Sequence, residues 1–199
     1  MDINTPYRTI TREQFLFHEM RIVARLIKEE KSDEQIIQEV TDNNLFQYPT
    51  ERMIKNITQV CLNRFNKANS QDLIDIVAND SADAAKQACL FLMMNYYRLV
   101  WEFMITVIGE KYRTKDTSFT KVDINSFFTR LQEQNDTVAS WSDATISKCK
   151  QVLKKTLVEN GYLDNSRSEV LNPVLLDLRV KEAIEDTNNK EALIAFGCL

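Results

Sequence analysis

Glycine and proline are scarce in this chain, with three of each in 199 residues. Sheets, tight hairpins and phosphate-cradling loops consume glycine, so the scarcity favours helices joined by short polar turns. It also removes the glycine-rich nucleotide motifs: the sequence holds neither a G-x-G-x-x-G nor a Walker A loop. Histidine is scarcer still, with His18 alone. The four cysteines, Cys61, Cys89, Cys149 and Cys198, are scattered without a C-x-x-C, each among apolar residues. Buried free thiols therefore fit better than zinc ligation or disulfides, and no metal or other cofactor is expected. The start, "MDINTPYRTI", lacks the basic and apolar parts of a signal peptide, which suits a cytoplasmic protein.

Enzyme chemistry has little to stand on. His18 sits beside Phe17 on an amphipathic stretch and reads as a structural histidine. Carboxylate neighbours such as Glu29-Glu30 and Asp33-Glu34 lie on polar faces and read as solvated charge, and no motif marks an activated serine or cysteine. No catalytic residue is assigned.

One long apolar run does occur, "ACLFLMMNYYRLVWEFMITVIG", residues 88–109. It could span a bilayer by length, but Arg98 and Glu102 sit near its centre. Each would cost about 2.5–3.5 kcal/mol there. Four residues apart, they share a helical face and can pair. The run reads as the central helix of a helical bundle rather than a membrane span.

Elsewhere the apolar period is helical. Arg12 to Glu30 carries a stripe at 15, 16, 22, 23, 26 and 27. Ser32 and Gln35 form a capping box that opens a short helix, and Thr50 caps a third helix through Met53, Ile54, Ile57, Val60, Cys61 and Phe65. Three helices with a short middle one have the dimensions of a helix-turn-helix unit. The third carries Arg52, Lys55, Arg64 and Lys67 against one acid, Glu51. Ser81 caps the apolar helix, and Thr120-x-x-Asp123 caps one bearing Phe127, Phe128 and Leu131. The polar stretch 110–123 is the best boundary, giving an N-terminal bundle of residues 1–115 and a second lobe of residues 116–199. The fold class is mostly all-α, in two helical lobes.

The chain is acidic, with 25 Lys+Arg against 29 Asp+Glu, yet Thr145 to Val158 contains four lysines and no acid. On a helix capped by Ser142, Ile146, Cys149, Val152, Leu153 and Leu157 face inward. Ser147, Lys148, Lys150, Gln151, Lys154 and Lys155 face outward, with Thr145 at the edge. These types contact phosphates and base edges when a helix enters the major groove. Asn160-Gly161 ends the helix with a left-handed glycine. "YLD", "NSRS" and "EVL" then read as a small β-hairpin with Arg167 at its tip. Helix, turn, basic helix and hairpin is the order of a winged helix-turn-helix. Solubilising lysines, an RNA-binding helical module and a protein-docking adaptor are the competing readings; the aromatics lie mostly on apolar faces, which weakens the RNA one.

The pieces "EMRIVARLIKEEKSDEQI", "NLFQYPTERMIKNI", "YRLVWEF", "EKYR" and "WSDATISKCKQVLKKTLVENGYLDNSRSEVLNPVL" resemble, in the same order, the BrxA family of bacteriophage exclusion (BREX) defence systems, once labelled putative inner-membrane protein. The stretch from Trp141 to Pro173 is the most specific part. The resemblance implies an all-helical, non-enzymatic, DNA-binding component that acts beside the BREX methyltransferase, ATPase and phosphatase-like proteins. The duplex-DNA contacts expected from the residues are Ser142, Thr145, Ser147, Lys148, Lys150, Gln151, Lys154, Lys155 and Arg167, with Arg52 and Lys55 on the earlier helix.

Overall fold

The computed structural model describes residues 5–198. Its helices are α1 (Phe17–Lys28), α2 (Asp33–Asp42), α3 (Glu51–Ala68), α4 (Gln71–Asn79), α5 (Ala82–Tyr96), α6 (Arg98–Phe103), α7 (Glu110–Thr114), α8 (Lys121–Gln134), α9 (Asp136–Ala139), α10 (Asp143–Glu159) and α11 (Leu178–Glu185). A π-helical stretch, Met104–Gly109, joins α6 to α7, and a 3-10 helix, Lys190–Phe196, closes the chain. Helices begin where hydroxyls can take up free backbone amides. Ser32 and Thr120 each form the expected capping box, with Gln35 and Asp123. Thr50, Ser70, Ser81 and Ser142 cap α3, α4, α5 and α10.

The apolar run is buried but is not one helix. It breaks at Tyr97, whose φ of −109° and ψ of 110° leave the helical region. The Tyr97 hydroxyl donates to Glu13, and its ring lies 5.3 Å from the Arg64 guanidinium. Contacts with distant residues thus hold this side chain at the break. Arg98 and Glu102 do pair, Nε to Oε1 at 2.7 Å, and Glu102 also accepts from the Tyr7 hydroxyl at 2.6 Å. Among the described residues, no helix is long and apolar enough to cross a membrane.

Residues 5–16 form an extended arm. The Arg98 guanidinium donates to the Thr5 carbonyl and lies over the Tyr7 ring. Arg64 donates to the carbonyls of Phe15 (2.9 Å) and Gln14 (2.8 Å). The Ile10 backbone amide reaches the Cys149 thiol, which burial pushes up in pKa. The arm therefore ties α3, α6 and α10 together.

The last residues fold back over the first half. α11 packs on α4 and α5, and the 3-10 helix packs on the π-helical stretch. Gly109 permits that approach, since a Cβ there would stand 2.5 Å from Ile194 Cγ2. The buried apolar side chains form one cluster running from Tyr7 to Phe196. Cys61, Cys89 and Cys149 are buried, whereas Cys198 is only half-buried. His18 is exposed on the first turn of α1, so the structural role expected for it in the sequence is not seen.

The expected hairpin after Gly161 is a second correction. No strand forms among the described residues; the one antiparallel bridge joins Ser118 to Val170. Tyr162, Leu163 and Leu171 are buried in the core. The loop closes through the Asn172 amide on the Tyr162 carbonyl (2.9 Å). Its returning limb bonds residues 117–119 instead, by Phe119 N–H to Glu169 and Leu171 N–H to Thr117.

Candidate nucleic-acid interface

α10 carries the face the sequence suggests. Ser142 Oγ accepts from the Thr145 amide at 3.2 Å and lies 3.0 Å from Thr145 Oγ1. Thr145 is therefore engaged in the cap and is only half-exposed. Ile146, Cys149, Val152, Leu153, Thr156 and Leu157 are buried. Ser147, Lys148, Gln151 and Lys155 are exposed, and Lys154 is half-exposed. Gly161 ends the helix at φ +75°, with the Tyr162 amide on the Leu157 carbonyl.

Two of the four lysines are tethered. Lys150 Nζ donates to Asn125 Oδ1 at 2.8 Å and lies 5.4 Å from the Phe128 ring centroid, so it clamps α10 to α8. Lys155 Nζ donates to Gln14 Oε1 at 3.0 Å and stands 3.5 Å from Glu159. The outward arc is thus Ser147, Lys148, Gln151 and Lys154, with Lys155 at its edge. Arg167 is exposed on the turn after α10, where the Asn165 carboxamide accepts its backbone amide at 2.8 Å. The tip exists, on an irregular loop.

The turn between α7 and α8 is held by an ionic cluster. Lys111 is buried and reaches Asp116 at 2.8 Å and Asp123 at 2.9 Å, joining α7 to the start of α8. Burial pushes the Asp123 carboxyl up, but Lys111 and the Thr120 amide outweigh it and hold it below the usual carboxylate range. The polar stretch 110–123 is therefore a knotted joint.

On α3, Arg52 and Lys55 are exposed, with Lys55 Nζ 3.6 Å from Glu51. Arg64 is different: it is 0% exposed and belongs to the core. Arg is ordinarily a surface residue, and the carbonyl partners of Arg64 on the arm lie about fifty positions away and cannot be read locally. α3 also presents amides that a reading by charge misses. Asn56 and Gln59 are exposed and Asn63 is half-exposed, and their helical spacing in the sequence would have revealed them. A cleft of about 470 Å³, lined by Arg12, Gln14, His18, Tyr48, Met53 and Lys155, brings elements of both basic helices to one edge.

Comparison with known proteins is consistent over nearly the whole length. Residues 6–188 match the BrxA family. The chain is 35% identical over 178 residues to the BREX protein BrxA of Bacillus cereus (strain H3081.97), covering 88% of each. It is 23% identical over 158 residues to the BREX protein BrxA of Escherichia coli O9:H4 (strain HS), covering 79% of this chain and 74% of the relative. A crystal structure of an uncharacterized protein from Magnetospirillum magneticum has the same fold. Its TM-score is 0.83 at 19% identity, over 96% of this chain and 98% of the other.

Proposed function

The chain belongs to the BrxA family, and from that premise we propose that it is a non-enzymatic, duplex-DNA-binding component of a BREX phage-defence system, at work in the cytoplasm. Its curated relatives are named BREX proteins, so the other BREX proteins are its natural partners. The observation that carries the DNA reading is the outward arc of α10, where Ser147, Lys148, Gln151 and Lys154 stand together in a stretch without acids. Lysines replace condensed counterions on phosphates, and hydroxyls and amides supply further phosphate or base contacts. In a protein of net charge −4 the acid-bearing surface repels DNA, which concentrates binding on acid-free faces such as this arc. Arg167 on the loop after α10, together with Arg52 and Lys55 on α3, adds flanking DNA contacts. The proposed winged-helix-like unit lies within residues 116–199, its wing the irregular loop, while α11 and the 3-10 helix of the same stretch pack on the bundle of residues 1–115.

The test is duplex binding across a salt series. Wild-type affinity should fall with a log–log slope of about −0.9 per phosphate neutralised. Replacing Lys148, Lys150, Lys154 and Lys155 with alanine should weaken binding to all sequences and flatten that slope; an unchanged slope in a folded variant rejects the proposal. One observation favours protein docking as a second reading. Leu175 and Leu178 are 92% and 67% exposed, ahead of and at the start of α11. Should the lysine variant bind DNA normally while Leu175→Ser loses association with the BREX proteins, the docking reading takes its place.

A further inference from the structure

We propose that α3 reads base edges in the major groove, and that the stripe Arg52, Asn56, Gln59 and Asn63 gives the protein a preference for sites containing adenine. This rests on the duplex-DNA reading above and assigns the base contacts to a different helix from the one that carries most of the phosphate contacts.

The four positions are spaced i, i+4, i+7 and i+11, which places them in one line along a helix. The opposite side is committed to the core through Ile54, Thr58, Cys61, Leu62 and Phe65. Arg52, Asn56 and Gln59 are exposed, and Asn63 is half-exposed. At about 1.5 Å per residue the line is roughly 16 Å long, and a major groove about 12 Å wide admits such a helix. From Arg52 to Lys67 the sequence contains no acid, so nothing on the line repels phosphate.

The chemistry of the line is amide rather than ammonium. A carboxamide offers a donor and an acceptor side by side, the pattern that matches adenine N7 and N6. Gln59 Nε2 donates to Asn63 Oδ1 at 3.1 Å, which leaves Gln59 Oε1 as an acceptor and Asn63 Nδ2 as a donor. Asn66, one turn on, is bonded to Asp33 at 2.9 Å and fixes α2 against α3. Asparagine is a poor helix former, because its side chain competes for backbone groups. A face meant only for solvent would be better served by Glu, Lys or Ala. The line also lacks aromatic residues, which protein interfaces and single-stranded RNA modules use as anchors and stacking platforms. On α10, by contrast, Gln151 is the single exposed carboxamide, and the Thr145 hydroxyl is engaged by Ser142.

The test is selection from a randomised duplex pool with the full chain, at a salt concentration where binding is measurable. Wild type should enrich a motif containing adenine, since each good bidentate amide–adenine pair discriminates by roughly 5- to 150-fold. The triple variant Asn56→Ala, Gln59→Ala, Asn63→Ala should lose that enrichment. Its affinity for random duplex should stay within about threefold, with the same salt slope and the same melting curve. Gln59→Glu gives the readout that a structural role would not move: a carboxylate accepts from cytosine N4, so the preferred base at one position should change. Enrichment of no motif by wild type, or of the same motif by the triple variant, overturns the inference while salt-dependent binding through α10 stands. Absence of any duplex binding by wild type overturns both.

Discussion

α3 and α10 look alike as strings. Each is a long helix opened by a hydroxyl cap, rich in Lys and Arg, with a single acid in its first turn. In the structure they use those charges in different ways. α3 sends its arginine at position 64 inward to hold the arm, and turns a line of amides outward. α10 keeps every lysine at the surface but ties two of them down, Lys150 to α8 and Lys155 to the arm. The number of basic residues on a helix is thus a poor measure of the charge it can present. What decides is whether another element offers carbonyls, amides or a ring within reach.

The largest expected effect attacks the inward half of α3. Arg64→Met keeps much of the volume but leaves the carbonyls of Gln14 and Phe15 unmet in a buried setting. We expect a loss of about 3–5 kcal/mol in urea unfolding, from unsatisfied polar groups and the released arm. A loss below about 1 kcal/mol would show that Arg64 is replaceable and that the contrast between the helices is shallower than described.

Splitting the lysines of α10 sharpens the other half. Lys148→Ala with Lys154→Ala should lower duplex affinity about tenfold or more and reduce the salt slope by about two. Lys150→Ala with Lys155→Ala should change the slope by less, because those groups are already satisfied within the molecule. Equal slopes for the two pairs would refute the division into free and tethered lysines.

The caps should respond alike, as the common part of the comparison. Thr50→Ala and Ser142→Ala should each cost about 1 kcal/mol, read by thermal unfolding. A much larger loss for Ser142 would indicate that its contact with Thr145 does more than cap α10.

Acid titration gives the smallest effect and serves as a control outside both helices. Asp75 is drawn down to about 2 by Lys28 and then Arg179, and Asp116 is held low by Lys111 and then Ser118. A carboxyl whose pKa is depressed in the folded state contributes stability that is present above its ordinary value and lost as pH falls. Stability should therefore decline between about pH 4 and pH 2. Lys111→Met should shrink the part of that decline due to Asp116 and Asp123, measured by urea midpoints across the range.

How much of this was legible in the sequence follows from distance along the chain. The caps at Ser32, Thr50, Ser81, Thr120 and Ser142 join residues two or three positions apart, and the sequence showed each of them. The inward and outward arcs of α10 follow from helical period and were legible too, including Lys148 and Lys154. Lys150 and Lys155 do lie on the outward arc, but their tethers to Asn125 and Gln14, 25 and 141 residues away, are not legible locally, and neither is the burial of Arg64, whose partners lie about fifty residues away. The break at Tyr97 has the same origin, since Glu13 lies 84 positions earlier. The hairpin failed for a related reason: the partner of Val170 is Ser118, on a segment that precedes α8.

The arm of residues 5–16 also bears on how the molecule is made. Its partners on α3, α6 and α10 emerge from a ribosome in succession, and Lys155 follows Gln14 by 141 residues. At about 5–20 residues per second, the arm waits roughly 7–28 s before its last partner has been synthesised. Until then Ile10 and Phe15, both buried in the finished molecule, lack part of their covering. The arm, translated ahead of all these partners, thus completes its contacts only after α10 has been made, and its docking joins parts of the chain far apart in the sequence.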